Sequence, residues 1–549
     1  MSAQKSVFLE TFGCQMNELD SELVSGALRA LGYRFVDSPD AADVVLYNTC
    51  SVREHAEQKV WSRLGEVKIR KVDEPHVVVG VLGCMAERDG VDLLHRMPQV
   101  DILCGPAELD KLPSLLDNAV RTREAMLADQ PRSRPMRSAK QVALQGAASR
   151  RSGTLAAAED TLELLDLSRA VSPTDHAGTA YVRITRGCNK FCTYCVVPHT
   201  RGAEMHRPPE HIIDECKRLA DAGVIEVTLL GQTVNHYRFE HGAAVAVGGI
   251  VQPQKGRTYK GSHNRDAFAG ERVTTFADLL ARIHDEVPAI QRLRFVTSYP
   301  RDFGDDVLEV IRDHPRICRY LHVPAQSGSD RMLKQMNRGY TVAEYDEFLH
   351  RARSILHQPE IGRPLMVSGD MIVGFCTETE EDHEASMRLI ERANYKSAFI
   401  FKYSPRPGTV AYDKMPDDTP DEVKRRRNNA MLALQSSVSE RVMAQLIGMT
   451  FDAMVEGVSF QQAKREKRAA ASAGGGGGVS LTIGGRDPNA AVIEEAPATG
   501  STQLSARTDG DAIVHFDCPH GRSAADLVGR IVKVKVTASD AISLSGELV

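Results

Sequence analysis

Cys188, Cys192 and Cys195 lie within residues 185–198, TRGCNKFCTYCVVP, separated by three and then two residues. Three thiols this close can converge on one metal centre. A structural zinc ion normally takes four protein ligands, often from paired C-x-x-C knuckles, and no second knuckle occurs in the sequence. Thiolates select soft centres such as iron-sulfur clusters, and three of them on a 4Fe-4S cube leave one iron open to a small molecule. A redox loop or a zinc loop is the simpler reading of the same spacing.

Three more cysteines stand at equivalent places upstream. Cys14, Cys50 and Cys84 each follow a strand-like run, at 6–10 (SVFLE), 43–47 (DVVLY) and 77–82 (VVVGVL). Helical periodicity follows the first two, with Leu23, Ala27 and Leu31 on one face of 17–31 and Val60, Leu64 and Val67 on one face of 54–70. Such alternation predicts an open parallel α/β domain with right-handed crossovers. Its strands end on one edge, where ligands bind in such folds. The three cysteines are therefore expected to meet there and hold a second 4Fe-4S cube. The plainer alternative is three small core residues. Cys104, inside the fourth apolar run, reads as core.

Further along, strand-like runs recur at 181–185, 226–230, 293–297, 320–323, 370–373 and 398–403, the first five followed by helical segments. Six such repeats predict a partial TIM-like (β/α)6 barrel, with chemistry at the carboxyl ends of its strands. The Cys188 loop follows the first strand. Gly231 and Gln232 follow the second, Gln326 and Ser327 the fourth, and Gly374 and Glu378 the fifth. These six are the expected cofactor-binding residues. Glycine lets a backbone approach a ligand closely, and Gln326 and Ser327 can hydrogen-bond a ribose. Ordinary turn chemistry explains each one singly.

The 549 residues divide on this reading into an α/β domain at 4–126, a linker at 127–177, the barrel at 178–446 with an insertion at 240–273, and a small β-barrel at 447–549. Low-complexity sequence at 463–501, including ASAGGGGG, interrupts the last and is expected to be disordered. The glycine-rich insertion, with Lys255, Arg257, Lys260 and Arg265, reads as a solvated surface loop. No run approaches the roughly 18 apolar residues of a membrane helix. No membrane partner is therefore expected, and a cytoplasmic monomer is. The eleven cysteines are then ligands or core residues rather than disulfides. A net charge of -5 gives no global sign of nucleic-acid binding, so such a partner must be argued locally.

The motifs together resemble the radical S-adenosylmethionine (SAM) methylthiotransferase family. TFGCQMNELDSE from Thr11, NTCSVREHAEQKV from Asn48 and LGCMAER from Leu82 resemble its N-terminal blocks. TRGCNKFCTYCVVPHTRG, LGQTVNHY, LHVPAQSGSDRMLKQMNRGYT and YSPRPGT resemble its catalytic domain, and LSARTDGDAIVHF with LSGELV its TRAM barrel, an RNA-binding module. The fifth-strand motif departs from the usual IVGFPGET by carrying Cys376 and Thr377. The resemblance implies two 4Fe-4S clusters, on Cys188/Cys192/Cys195 and Cys14/Cys50/Cys84. The first would reduce bound SAM to generate a radical, and the second would carry the sulfur. It further implies a methylthio group placed on C2 of N6-isopentenyladenosine 37 in the anticodon loop of tRNA, served by an electron donor and a sulfur source. Sister enzymes acting on threonylcarbamoyladenosine or on a ribosomal-protein aspartate share the six cysteines. A non-enzymatic iron-sulfur or RNA-binding protein is the rival of another class.

Overall fold

The computed structural model describes residues 5–51, 54–128, 140–145, 161–170, 178–256, 266–464 and 502–549. The N-terminal domain is a six-stranded parallel sheet of order β2-β1-β3-β4-β5-β6. Its strands are β1 (Ser6–Phe12), β2 (Arg34–Phe35), β3 (Val44–Thr49), β4 (Val78–Gly83), β5 (Ile102–Cys104) and β6 (Gln141–Ala143). Helices α1 (Gln15–Ala30), α2 (Glu54–Asp73), α3 (Cys84–Arg96) and α4 (Leu112–Ala128) connect them. β3 and β4 are buried along their whole length, as near-continuous apolar runs in a covered parallel sheet must be. Cys104 is fully buried in the core between sheet and helices.

The stretch expected as a linker does structural work. It supplies β6, on the edge of the sheet, and α5 (Thr161–Leu167). Glu163 and Asp166 of α5 are buried and take Arg207 Nε (3.0 Å), Arg186 Nη2 (2.7 Å) and Arg183 Nη2 (2.7 Å). Arg169, just beyond α5, donates to Glu22 of α1 at 2.8 Å and to Glu215 at 3.0 Å. A buried charge persists only when it is paired, and this lattice ties α1 to the next domain.

That domain contains all six predicted barrel strands. The first half runs through β7 (Thr179–Arg183), β8 (Thr185–Arg186), α6 (Val197–Thr200), β9 (Met205–His206), α7 (Pro209–Asp221) and β10 (Glu226–Leu230). The insertion then forms β11 (Arg238–Glu240), β12 (Ala246–Val247), β13 (Ile250–Val251), β14 (Gln254–Lys255) and β15 (Val273–Thr275). Rather than a loose loop, it folds back: β11 pairs with β15 and β14 with β9, both antiparallel. Arg257, Lys260 and Arg265 lie outside the described residues. The second half comprises α8 (Phe276–Glu286), β16 (Arg292–Phe295), α9 (Asp305–Asp313), β17 (Tyr320–His322), α10 (Asp330–Gln335), α11 (Val342–Leu356), β18 (Met366–Val373), α12 (Glu380–Ala393), β19 (Ser397–Lys402), α13 (Val410–Lys414) and α14 (Asp421–Ala444). The strands form two parallel sheets, β16-β10-β7 and β17-β18-β19.

Side chains alternate across these strands. Leu293, Phe295, Leu321, Met371 and Val373 are buried in the core against the helices. The opposite face carries His322 and Asp370, joined at 3.0 Å, with Phe399 in register beside Asp370 and Phe401 two residues on. Phe399 and Phe401 are 51% and 37% exposed. At β19 this face is therefore an accessible surface and not a packed core.

The C-terminal segment closes a five-stranded barrel of order β20-β21-β22-β24-β23. Its strands are β20 (Thr450–Val458), β21 (Gln503–Thr508), β22 (Ile513–Asp517), β23 (Ile531–Ser539) and β24 (Ser543–Leu548). Most of 463–501, expected to be disordered, lies outside the described residues. The turn after β21 docks against β16 and the start of β19. Arg292 Nη1 donates to Arg507 O (2.6 Å), Arg294 Nη1 to Asp509 O (3.2 Å), and Lys396 pairs with Asp511 at 2.7 Å. Burial pushes the Asp511 carboxyl up, but Lys396, Arg507 and Arg294 outweigh it and hold its pKa at about 2. A depressed carboxylate stabilises the fold above its unfolded pKa and loses that contribution as pH falls through the folded value. Asp511→Asn, which takes the counter-ion from buried Lys396, is accordingly expected to cost about 3 kcal/mol at pH 7, measured by denaturant unfolding. The gap from the unsubstituted chain should close between about pH 4 and pH 2; equal stability at pH 7 contradicts the docking role. Among the described residues no helix is long and apolar enough to cross a membrane.

Candidate metal centres

Strand register brings the upstream cysteines together. Thr49 of β3 lies opposite Phe12 of β1 on one side and Gly83 of β4 on the other. Cys50 and Cys84 are each the next residue, and Cys14 is two beyond Phe12. Adjacent strands lie about 4.8 Å apart, so the three leave the sheet side by side on its carboxyl edge. Cys50 N donates to Phe12 O at 2.9 Å. Cys14 caps α1 and Cys84 opens α3, so two helix N-termini, which favour negative charge, face this corner. The hydrogen bond from Cys50, aided by the charge of Arg201, pulls the Cys14 thiol down to about 6, against its burial.

Beneath the cysteines lies a polar network that periodicity cannot reveal. Asn17 Nδ2 donates to Asn48 Oδ1 (3.1 Å), while Asn48 Nδ2 donates to Asn17 O and Ser21 Oγ, both at 2.9 Å. Asn17 and Asn48 are fully buried. Their amides fix the turn between Cys14 and Cys50, and Asn17 Oδ1 accepts from Cys14 Sγ at 3.4 Å.

The second triad sits in the loop after β8. Gly187, with φ 63°, has Ala203 O only 2.1 Å from where a Cβ would fall, so only glycine fits before Cys188. Cys188 N donates to Gly202 O (3.2 Å) and Cys195 N to Cys192 O (3.0 Å). The end of α10 clamps the loop from outside: Thr193 N donates to Met336 O (3.1 Å) and Asn337 Nδ2 to Phe191 O (3.0 Å). Arg338 Nη1 lies 3.3 Å from Cys192 Sγ and stacks over Tyr299 and Tyr340. Burial, and then Cys192, push the Cys195 thiol up to about 12. Deprotonated thiols here need a cation, which a metal centre provides.

The two triads adjoin. α6, two residues after Cys195, packs on α3, and Thr200 at its end works against the burial that pushes the Cys84 thiol up. Arg201 follows; its charge acts on both Cys14 and Cys84, and its Nη2 donates to buried Asp20 at 2.8 Å. Asp20 also takes Arg183 Nη1 at 3.1 Å. Cys84 is in turn close enough to act on Cys195. Arg201, Asp20 and Arg338 carry no motif signal beyond their place in HTRG, NELDSE and NRGYT.

Neither triad suits a single ion. Among the described residues, the trios whose ligand atoms all lie within 4.8 Å are Glu204/His206/His236 and His284/Asp285/His314, and neither cysteine trio is one of them. Three converging sulfurs spread more widely fit a cluster better than one zinc.

The six expected cofactor residues divide into two groups. Gly231 presses on Thr185, whose Oγ1 would lie 2.1 Å from a Cβ and has no hydrogen-bond partner among the described residues. Gln232 is beside it, half-buried. Gln326, with φ 72°, bridges to β18 by donating N–H to Asp370 O at 2.8 Å and accepting from Ile372 N at 3.0 Å. These three stand at the rim. Ser327, by contrast, turns its hydroxyl to Ser386 of α12 (3.3 Å) and accepts from Ser329 N. Glu378 accepts from Gly374 N (2.7 Å) and pairs with Arg427 of α14 (2.8 Å). Gly374 itself abuts Lys424. The Ser327 hydroxyl thus fixes its own loop, and Glu378 likewise holds the fifth-strand turn.

Residues 6–105 match the family described as Uncharacterized protein family UPF0004, and residues 182–390 match the Radical SAM superfamily. A tRNA-2-methylthio-N(6)-dimethylallyladenosine synthase from Rhodopirellula baltica is 42% identical over 466 residues, covering 85% of this chain and 86% of its own. One from Phocaeicola vulgatus is 37% identical over 550 residues, 100% and 96% of the two chains. The chain belongs to this synthase family. A radical S-adenosylmethionine methyltransferase from Kitasatospora setae, solved with cobalamin and a 4Fe-4S cluster, aligns at TM-score 0.45 and 14% identity over 74% of each chain. The departure from the synthase family's usual IVGFPGET is absorbed locally. Cys376 is buried among Met332, Met336, Phe375 and Tyr403. Thr377 holds φ 63°, a conformation that costs a β-branched residue roughly 1–3 kcal/mol. Asp418, Gln335 and Arg331 bond its N–H, hydroxyl and carbonyl respectively.

Proposed function

We propose that this chain replaces the C2 hydrogen of N6-isopentenyladenosine 37 in tRNA by a methylthio group, using radical SAM chemistry. The observation that carries the proposal is the meeting of two three-cysteine corners, where α6, which follows Cys195, packs on α3, which opens with Cys84, and Arg201 acts on Cys14 and Cys84. Cys188, Cys192 and Cys195 would hold one 4Fe-4S cluster and Cys14, Cys50 and Cys84 the other, each with an iron free of protein ligands. Bound together, clusters and SAM supply the electron, the radical and the sulfur that side chains cannot provide. An aromatic C–H is out of reach of ordinary acids and bases.

The protein's own part is to hold and shield. Gly231, Gln232 and Gln326 line the rim where the adenosine of SAM would lie, and Gly374 with Glu378 shapes the neighbouring turn. Arg338 and Arg201 offset negative charge beside the two sulfur sets. The exposed Phe399 and Phe401, with His322 and Asp370, offer a face on which a splayed anticodon-loop base can stack, the mode RNA-specific proteins favour. The C-terminal barrel reads as a TRAM-like RNA-binding module. Its Thr508–Asp511 turn is occupied in docking, so tRNA would use its other faces. An electron donor and a sulfur source complete the partners.

The test is nucleoside mass spectrometry after incubating reconstituted, reduced protein and SAM with tRNA bearing either isopentenyladenosine or threonylcarbamoyladenosine. A methylthio group should appear on the isopentenylated nucleoside alone. Its absence there overturns the substrate assignment.

A further inference from the structure

A third polar cluster lies outside both triads. β9 and the residue before it present Glu204 and His206 to His236, which follows β10. All three are buried, at 0%, 2% and 3% exposure, and their ligand atoms lie within 4.8 Å of one another. His236 Nδ1 is 2.8 Å from Glu204 Oε1. Glu204 Oε2 and His206 Nδ1, though buried, have no hydrogen-bond partner among the described residues. Buried polar atoms are satisfied almost without exception, and an exception asks for an ion or a water.

The cover over this cluster comes from the insertion. β14 pairs with β9 in the register Gln254↔His206, and Gly256 N donates to Glu204 O at 2.7 Å. A Cβ at Gly256 would fall 2.8 Å from His206 Nε2 and 3.0 Å from Glu204 Cγ, so the glycine lets the insertion close down on the pair. Asn189, next to Cys188, joins the same structure by donating to Gly256 O (3.0 Å) and accepting from Glu204 N (3.1 Å). The cluster thus lies where the insertion meets the loop that carries the second cysteine triad.

We propose that Glu204, His206 and His236 form a binding site for a divalent transition-metal ion of the zinc class, which pins the insertion to the Cys188 loop. One carboxylate and two imidazoles are a donor set that such ions accept. The ion would satisfy both orphaned atoms at once and balance a carboxylate carried into the interior. Its nitrogen and oxygen donors set it apart from the cysteine corners, which would take iron and sulfide.

The test uses the full chain with both clusters in place, so that the cysteines are occupied. Metal analysis after equilibration with micromolar zinc and removal of loose ions should find one zinc per chain. His206→Ala and His236→Asn should each lose it while iron is unchanged. Cobalt in place of zinc should show the weak visible bands of nitrogen and oxygen coordination, without a thiolate charge-transfer band. Zinc that stays in both histidine variants, or is lost only with the cysteines, overturns the site. Should the variants fail to fold, the unsubstituted protein still decides the matter: no retained zinc, or cobalt with only thiolate signatures, rejects the proposal.

Discussion

Replacing Cys14, Cys50 and Cys84 together by alanine is expected to leave SAM cleavage intact and to abolish the methylthio product. The three lie on the carboxyl edge of β1, β3 and β4, whereas the Cys188 loop is held by hydrogen bonds to Gly202, Met336 and Asn337. Electron delivery to SAM should therefore survive. Sulfur insertion should not, because the corner next to Thr200 and Arg201 would have no thiolate left. The measurement compares methionine release with nucleoside mass spectrometry on one sample. Retained methylthio product would overturn the division of labour; loss of both activities would mean that the two corners are not separable.

The reciprocal replacement of Cys188, Cys192 and Cys195 by alanine should reduce both SAM cleavage and product to background. No other described group near Gln326 and Gly231 can substitute, and Arg338, stacked on Tyr299 and Tyr340, would face an apolar gap in place of the Cys192 sulfur. The upstream corner should still bind iron, since its register is set by β1, β3 and β4. SAM cleavage persisting in this variant would move the radical site elsewhere.

The elements that place the cysteines were readable because their signals are local. An apolar run followed at once by a cysteine marks a strand end, and the six recurring apolar runs marked the strands of the two parallel sheets. What escaped was polar. α5 is legible as a short helical stretch near 162–167, but its anchoring role is not, because its buried carboxylates meet arginines far along the chain, which hydrophobic periodicity cannot detect. β21 escaped because only one of its inward residues, Leu504, is a large apolar one, Ala506 and Thr508 being small or polar, and because it directly follows low-complexity sequence. The insertion looked solvated because its pairing with β9 depends on backbone hydrogen bonds, which carry no side-chain signature. At the rim, Gln326 sits where its place after the fourth strand suggested. Ser327 and Glu378 also serve loop geometry, through Ser386 and Arg427, contacts that a place at a strand end does not reveal.

Two open clusters in one chain is the claim on which the rest depends, and iron content tests it most directly. Anaerobically reconstituted protein should carry about eight irons per chain, falling to about four in either triple-alanine variant. A plateau near four in the unsubstituted chain, unchanged when Cys14, Cys50 and Cys84 are removed, would contradict it.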